Sequence, residues 1–195
     1  PVSPSSFRRL EQPVFADPAV RPEEYLAGAA SLPTELVRRW VRRFGLERTA
    51  ELGLHANSRP SMILRTNRLR SDRQTVLDQL SAAGVAARGH ANGLSVVLDR
   101  GVNLGALDVF VRGLVQPQDA TATAVCLRAA PAAGAAVLDF CAAPGTKTTH
   151  LAELMDNRGT VVAVDVSEDK LQRIIANTVR LGIDIVKTVL ADKVG

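Results

Sequence analysis

Residues Val137–Asp165 constrain this chain more than any other stretch. Val137–Phe140 reads as a short buried strand, and Val161–Val164 as a second, rich in β-branched residues and without polar alternation, as expected of parallel strands covered on both faces. Between them Leu151, Leu154 and Met155 fall at helical spacing over Thr148–Met155. Strand, helix, strand is a βαβ unit with a right-handed crossover. In such sheets ligands gather beyond the carboxyl ends of the strands. Both the small-residue segment Cys141–Lys147 and the acid Asp165 stand at those ends.

The residue types there suit a nucleoside cofactor. Ala142, Ala143 and Gly145 let a ligand approach the backbone, Gly145 can take positive φ, and Pro144 stiffens the turn. The amides at the start of the following helix favour an anionic group. Asp165 lies about twenty residues past Gly145, the distance at which a carboxylate accepts hydrogen bonds from ribose hydroxyls. Three readings compete. A nicotinamide dinucleotide calls for G-x-G-x-x-G, of which only Gly145 is present. A P-loop calls for G-x-x-x-x-G-K-[ST]; Lys147-Thr148 fits its tail, but Cys141 and Thr146 occupy both glycine positions. The third reading is S-adenosylmethionine, whose methyltransferases combine a doubly wound sheet with a small-residue first loop and an acidic second strand end.

Asp139-Phe140-Cys141-Ala142-Ala143-Pro144-Gly145-Thr146-Lys147-Thr148 resembles the D-x-C-A-A-P-G-G-K-T signature of the Sun/Nop family of RNA cytosine-C5 methyltransferases. The nearest likeness is to bacterial members that methylate ribosomal RNA. Leu64-Arg65-Thr66-Asn67 looks like the family's L-R-x-N strand. Val115-Gln116-Pro117-Gln118-Asp119-Ala120 looks like its V-Q-D-x-(S/A) segment. Together these cover roughly Ser31–Gly195. The one departure within the signature is Thr146, where the family has Gly. The resemblance implies an α/β fold: a Rossmann-like, doubly wound S-adenosylmethionine-dependent methyltransferase sheet, incomplete at its C-terminal end, after a small α+β subdomain. It implies that Cys141, Ala142, Ala143, Pro144, Gly145, Thr146 and Lys147 line the cofactor loop, that Asp165 holds the ribose, and that Asp192 meets the adenine edge.

The reaction so implied needs a thiolate. Cytosine C5 is a poor nucleophile until a thiolate adds to C6, after which C5 can take the methyl group and a base removes its proton. An acid near N3 would stabilise the developing charge. The family's active-site cysteines follow its fourth and fifth strands in P-C motifs, and this sequence has none. Of its 2 cysteines, Cys126 reads as a small buried hydrophobe on a helix and Cys141 belongs to the cofactor loop. No catalytic residue is therefore expected within this chain, and the chain alone is expected to be inactive. Two other readings stay open: a non-catalytic RNA-binding or cofactor-binding protein of this fold, and a nicotinamide-dependent oxidoreductase.

Composition narrows the setting. Lys and Arg number 24 against 20 Asp and Glu, a basic balance that permits an RNA partner through phosphate neutralisation. Scattered histidines (His55, His90, His150) and a lone pair of distant cysteines suggest no metal site, and a reducing cytoplasm is expected. No apolar run reaches membrane-spanning length, and no signal-peptide pattern is visible. Opening at Pro1 and stopping just past the third apolar run, the sequence reads as part of a longer protein. A sheet cut there is expected to leave an exposed edge and uncovered apolar faces, hence poor solubility or self-association.

Along the chain, residues 1–30, with Phe7, Leu10 and Val14, read as the tail of an upstream NusB-like domain and a linker. Residues 31–118 read as a helical and small α+β RNA-binding subdomain, and 119–195 as the first part of the cofactor domain. Ser31 is expected to cap a helix ending at Gly45, with Leu36, Val37, Trp40, Val41 and Phe44 as its apolar stripe. Arg38, Arg39, Arg42 and Arg43 lie on its other face, as a solvated surface or an RNA-backbone contact. Leu46–Ala56 reads as a helix, 61–67 as a strand, 72–83 as a helix, and 85–88 and 94–98 as strands around Ala91-Asn92-Gly93. Residues 101–118 show no clear pattern. Ser167 should cap a helix that buries Leu171, Ile174, Ile175 and Val179, and His150 is expected at the surface.

Overall fold

A computed structural model describes residues 14–58 and 60–193. The chain divides into two compact units, one running up to Pro60 and one from Ser61 onward. Phe7 and Leu10 lie outside the described residues, and Val14 is exposed.

The first unit holds α1 (Pro22–Ala29), α2 (Thr34–Phe44) and α3 (Leu46–Ala56). Ser31 does not cap α2. It sits at φ 52° as the residue that closes α1, donating its N–H to Gly28 O while Leu32 N–H reaches Ala27 O. That pairing is a Schellman closure, and it leaves extended Pro33 to precede α2 with no side-chain cap. Gly45, at φ 79°, ends α2 and opens α3 in a conformation that side chains rarely adopt. Val37 is buried, whereas Phe44 at the end of the expected stripe is exposed. On the basic face Arg38 pairs with Glu23, and Arg39 and Arg42 both reach Glu35.

In the second unit, β1 (Met62–Thr66), α4 (Arg73–Ala82), β2 (Ala87–Gly89), β3 (Ser95–Leu98), α5 (Asp108–Val111) and β4 (Val115–Pro117) form an antiparallel sheet in the order β2-β3-β1-β4, with its helices. The patternless stretch 101–118 supplies a 3-10 turn, α5 and the edge strand β4. Strand alternation splits the sheet's residues. Leu64, Val96, Leu98 and Val115 pack with Val76 and Leu80 of α4 in one apolar core. The opposite row starts with the pair Ile63 and Val97 and then turns polar: Arg65, Ser95 and Gln116 stand in pairing positions, with Asn67 and Gln118 just beyond, and all five are buried.

The chain continues through α6 (Ala120–Ala129), β5 (Ala136–Asp139), α7 (Thr146–Leu154), β6 (Thr160–Asp165), α8 (Glu168–Leu181) and β7 (Val186–Leu190). These strands form a parallel sheet in the order β5-β6-β7, one half of the expected Rossmann-like arrangement. Val137, Val161 and Val186 lie side by side and pack against Ala152, Met155 and Leu181. Leu138 points the other way and is 60% exposed, and Phe140 is 58% exposed, whereas Val164 on the same face is buried. Ser167 does cap α8, accepting from Lys170 N. The buried stripe of α8 is Leu171, Ile174, Thr178 and Leu181; Ile175 is 37% and Val179 74% exposed. Ile174 packs against Gly145 and Leu181 joins the core behind β6, and those two contacts set a phase that turns Val179 outward.

Candidate functional site

The strand end of β5 passes directly into the loop that the sequence singled out. Ala142 N–H donates to Val164 O at 3.0 Å, tying the loop across to β6. Ala143 N–H donates to Asp165 Oδ2 at 2.9 Å, Val166 N–H donates to Oδ1 at 2.8 Å, and Lys170 Nζ stands 3.2 Å from Oδ1. Those two amides, and then Lys170, hold the Asp165 carboxyl below its ordinary pKa. It is thus an ionised, acceptor-only group at neutral pH, and Oδ2, which holds the Ala143 amide alone, keeps capacity for a further donor.

Gly145 closes the loop at φ 91° with its N–H on Ala142 O at 2.7 Å. A Cβ there would stand 3.1 Å from Ile174 Cγ2 and 3.3 Å from its Cα, so both the backbone angle and the space demand glycine. The Ala143–Pro144 bond is cis, and Pro144 O accepts from Asn177 Nδ2 at 2.9 Å. α7 starts at Thr146 with glycine at its N-cap, so no side chain competes for its first amides. Thr146 enters as an ordinary helical residue. Thr148 Oγ1 donates to Asp139 Oδ2 at 2.7 Å, securing the helix start to the end of β5.

Parallel pairing brings the expected residues to one end of the sheet. The loop follows β5, Asp165 ends β6 opposite Leu190, and Asp192 lies in the turn just past β7. Cys141, Pro144 and Lys147 are exposed, Ala142 and Gly145 buried, Ala143 and Thr146 between; Asp192 is exposed. Cys126 is buried as expected, its Sγ 3.9 Å from Lys147 O, and burial pushes its thiol pKa up.

His150 overturns its expected surface position. It is fully buried, Gln118 Nε2 lies 3.2 Å from Nδ1, and burial followed by the charges of Arg65 and Arg68 push its pKa down to about 3. It belongs to a buried polar group whose members stand far apart in the chain. Arg65 bonds to Gln118 Oε1 and Glu153 Oε1, donates to Thr146 O at 2.8 Å, and reaches Thr149 Oγ1 at 3.4 Å. Desolvation raises the Glu153 pKa, and the Arg65 charge opposes it. A second seam lies toward α8: Asn67 Nδ2 donates to Gly113 O and Leu181 O, each at 2.9 Å, and Arg180 stacks 4.0 Å over the Phe110 ring while bonding Gln116. The L-R-x-N and V-Q segments were the available signal for these residues. Among the described residues no group of acidic, histidine or cysteine side chains could hold a metal, and no helix is long and apolar enough to cross a membrane.

Comparison with known proteins shows the family. The family model for 16S rRNA methyltransferase RsmB/F matches residues 126–194, and that for the RsmF/B-like ferredoxin-like domain matches residues 32–104. The chain belongs to the RsmB/F family. The likeness carried by Asp139–Thr148 is borne out. The probable ribosomal RNA small subunit methyltransferase B of Bacillus subtilis is 34% identical over 193 residues, covering 97% of this chain and 43% of that protein. The ribosomal RNA small subunit methyltransferase B of Shigella flexneri is 36% identical over 177 residues, covering 90% and 40%. A solved methyltransferase homolog protein from Pyrococcus horikoshii superposes with a TM-score of 0.77 at 25% identity, over 89% of this chain and 56% of that one. The chain thus spans less than half the length of the curated relatives named.

Proposed function

We infer that this chain forms the cofactor-binding front of an S-adenosylmethionine-dependent enzyme that methylates cytosine C5 in ribosomal RNA. The observation that carries the reading is the joint placement of Gly145, the uncapped start of α7 and an ionised Asp165 at one end of a parallel sheet. Residues Cys141–Lys147 would wrap the methionine portion, with the α7 amides facing its carboxylate. Asp165 would hold the ribose by accepting from a hydroxyl at Oδ2, and Asp192 would accept from the adenine amino edge. The bound cofactor supplies an electrophilic methyl group. The chain's part is to fix the direction in which that group points and to keep the ribose acid charged.

The curated relatives' names support ribosomal RNA as partner. The Arg-bearing face of α2 and the basic composition suit phosphate contact by residues 31–118. The setting is the cytoplasm. Neither cysteine suits the C6 nucleophile: Cys126 is packed against α7, and Cys141 is part of the loop that would hold the cofactor. The 195-residue chain therefore binds the methyl donor without turnover.

Titration calorimetry tests this. The chain should bind S-adenosylmethionine and not a nicotinamide dinucleotide, and Asp165→Ala should weaken binding by about tenfold or more through loss of charge-assisted hydrogen bonds. Binding of the dinucleotide alone, or an unchanged affinity in the variant, would refute the assignment.

A further inference from the structure

One arginine from the antiparallel sheet grips the helix that carries the loop. Arg65 lies in the middle of β1, fully buried, between Ser95 and Gln116 on its neighbouring strands. On α7 it engages Thr146 O, Thr149 Oγ1 and Glu153 Oε1, three positions along one face of the first two helical turns. Thr149 Oγ1 in turn donates to Gly145 O at 2.8 Å. Two hydrogen bonds therefore separate a β1 side chain from the glycine on which the loop closes.

Burying a charge is costly, and an apolar pair of similar volume often stabilises a fold as well. What an apolar pair cannot do is bond a main-chain carbonyl, a hydroxyl and a carboxylate from one planar fork. The geometry points to Arg65 as the residue that positions the cofactor loop, by fixing the first two turns of α7 and, through Thr149, the backbone at Gly145. This deepens the cofactor reading and rests on it only for the ligand arm of the test.

The chain's 2 cysteines provide the readout. Cys141 is exposed in the loop, and Cys126 is buried against Lys147 O in the same turn of α7. The paired replacement Arg65→Met with Glu153→Met should keep a melting midpoint close to that of the unmutated chain. It should also raise the labelling rate of Cys126 by a disulfide reagent about tenfold relative to Cys141, because the turn opens locally. A folded double variant whose Cys126 stays as protected as before overturns the inference. If the double variant does not fold, Arg65→Lys decides: its single ammonium can face Glu153 but not all three acceptors, so Cys126 should label faster, and equal labelling overturns the inference. Affinity for S-adenosylmethionine should fall in parallel. Faster labelling with undiminished affinity removes the loop from Arg65's role. An unmutated chain that binds no S-adenosylmethionine overturns the cofactor reading alone, and labelling still decides for Arg65.

Discussion

Acidification from pH 7 to 5 should weaken the second unit through one imidazole. His150 is fully buried on α7, near Arg65 and Arg68, with its pKa depressed to about 3 from an ordinary 6.5. Gln118 Oε1 is taken by Arg65, so its Nε2 faces the ring, Nδ1 accepts, and the neutral ring keeps its proton on Nε2. The folded pKa lies below the unfolded one, so the unfolded chain takes up the proton first as pH falls. Stability from this source is complete above the unfolded value and drains away toward the folded one. With those two values the loss between pH 7 and 5 is about 2 kcal/mol, and the slope approaches about 1.4 kcal/mol per pH unit. Glu153 is raised by burial and runs the opposite way, so the test is a difference. Urea unfolding of the chain and of His150→Asn, whose amide oxygen can take the Gln118 bond, should be followed across this range. Far-UV circular dichroism is the probe, because the one tryptophan, Trp40, lies in the other unit. The stability of the unmutated chain relative to the variant should drop by about 2 kcal/mol from pH 7 to 5. Parallel curves would show that the ring is not held neutral, and the reasoning would fail.

Gly145→Ala should cost about 1–3 kcal/mol, from its positive φ and the approach to Ile174, and should weaken S-adenosylmethionine binding measured by calorimetry. Asn67→Ala strips the carbonyls of Gly113 and Leu181 of their side-chain donor and should lower stability in urea by about 3 kcal/mol.

The sequence made the parallel half legible because its determinants are local. A β-branched run, small residues in the loop, a spaced acid and a serine cap at Ser167 all act within a few residues of where they stand. α3 appears with its expected ends for the same reason, bounded at its start by Gly45. The antiparallel half hid its polar row. Leu64-Arg65-Thr66-Asn67 alternates like a strand with one wet face, yet that face is buried. Its satisfaction depends on partners 81, 88 and 114 residues away, which no window on the chain contains. His150 turns inward, against its expected surface position, for the same reason: its companion Gln118 stands 32 residues away in a stretch with no clear pattern. The α8 stripe failed at its far end, where Ile175 and Val179 offered an apolar periodicity that Ile174 and Leu181 had already fixed in another phase.

Two grips sit two positions apart, Arg65 of β1 toward α7 and Asn67 just past the strand toward α8. Their common orientation depends on the number of residues between them more than on any one neighbour. Adding or deleting a single amino acid within 64–67 would drive a guanidinium or a carboxamide into the oily space beneath α4 and lift Leu64 out of it. Evolution or an engineer can therefore vary the letters of this strand with some freedom, but not its length.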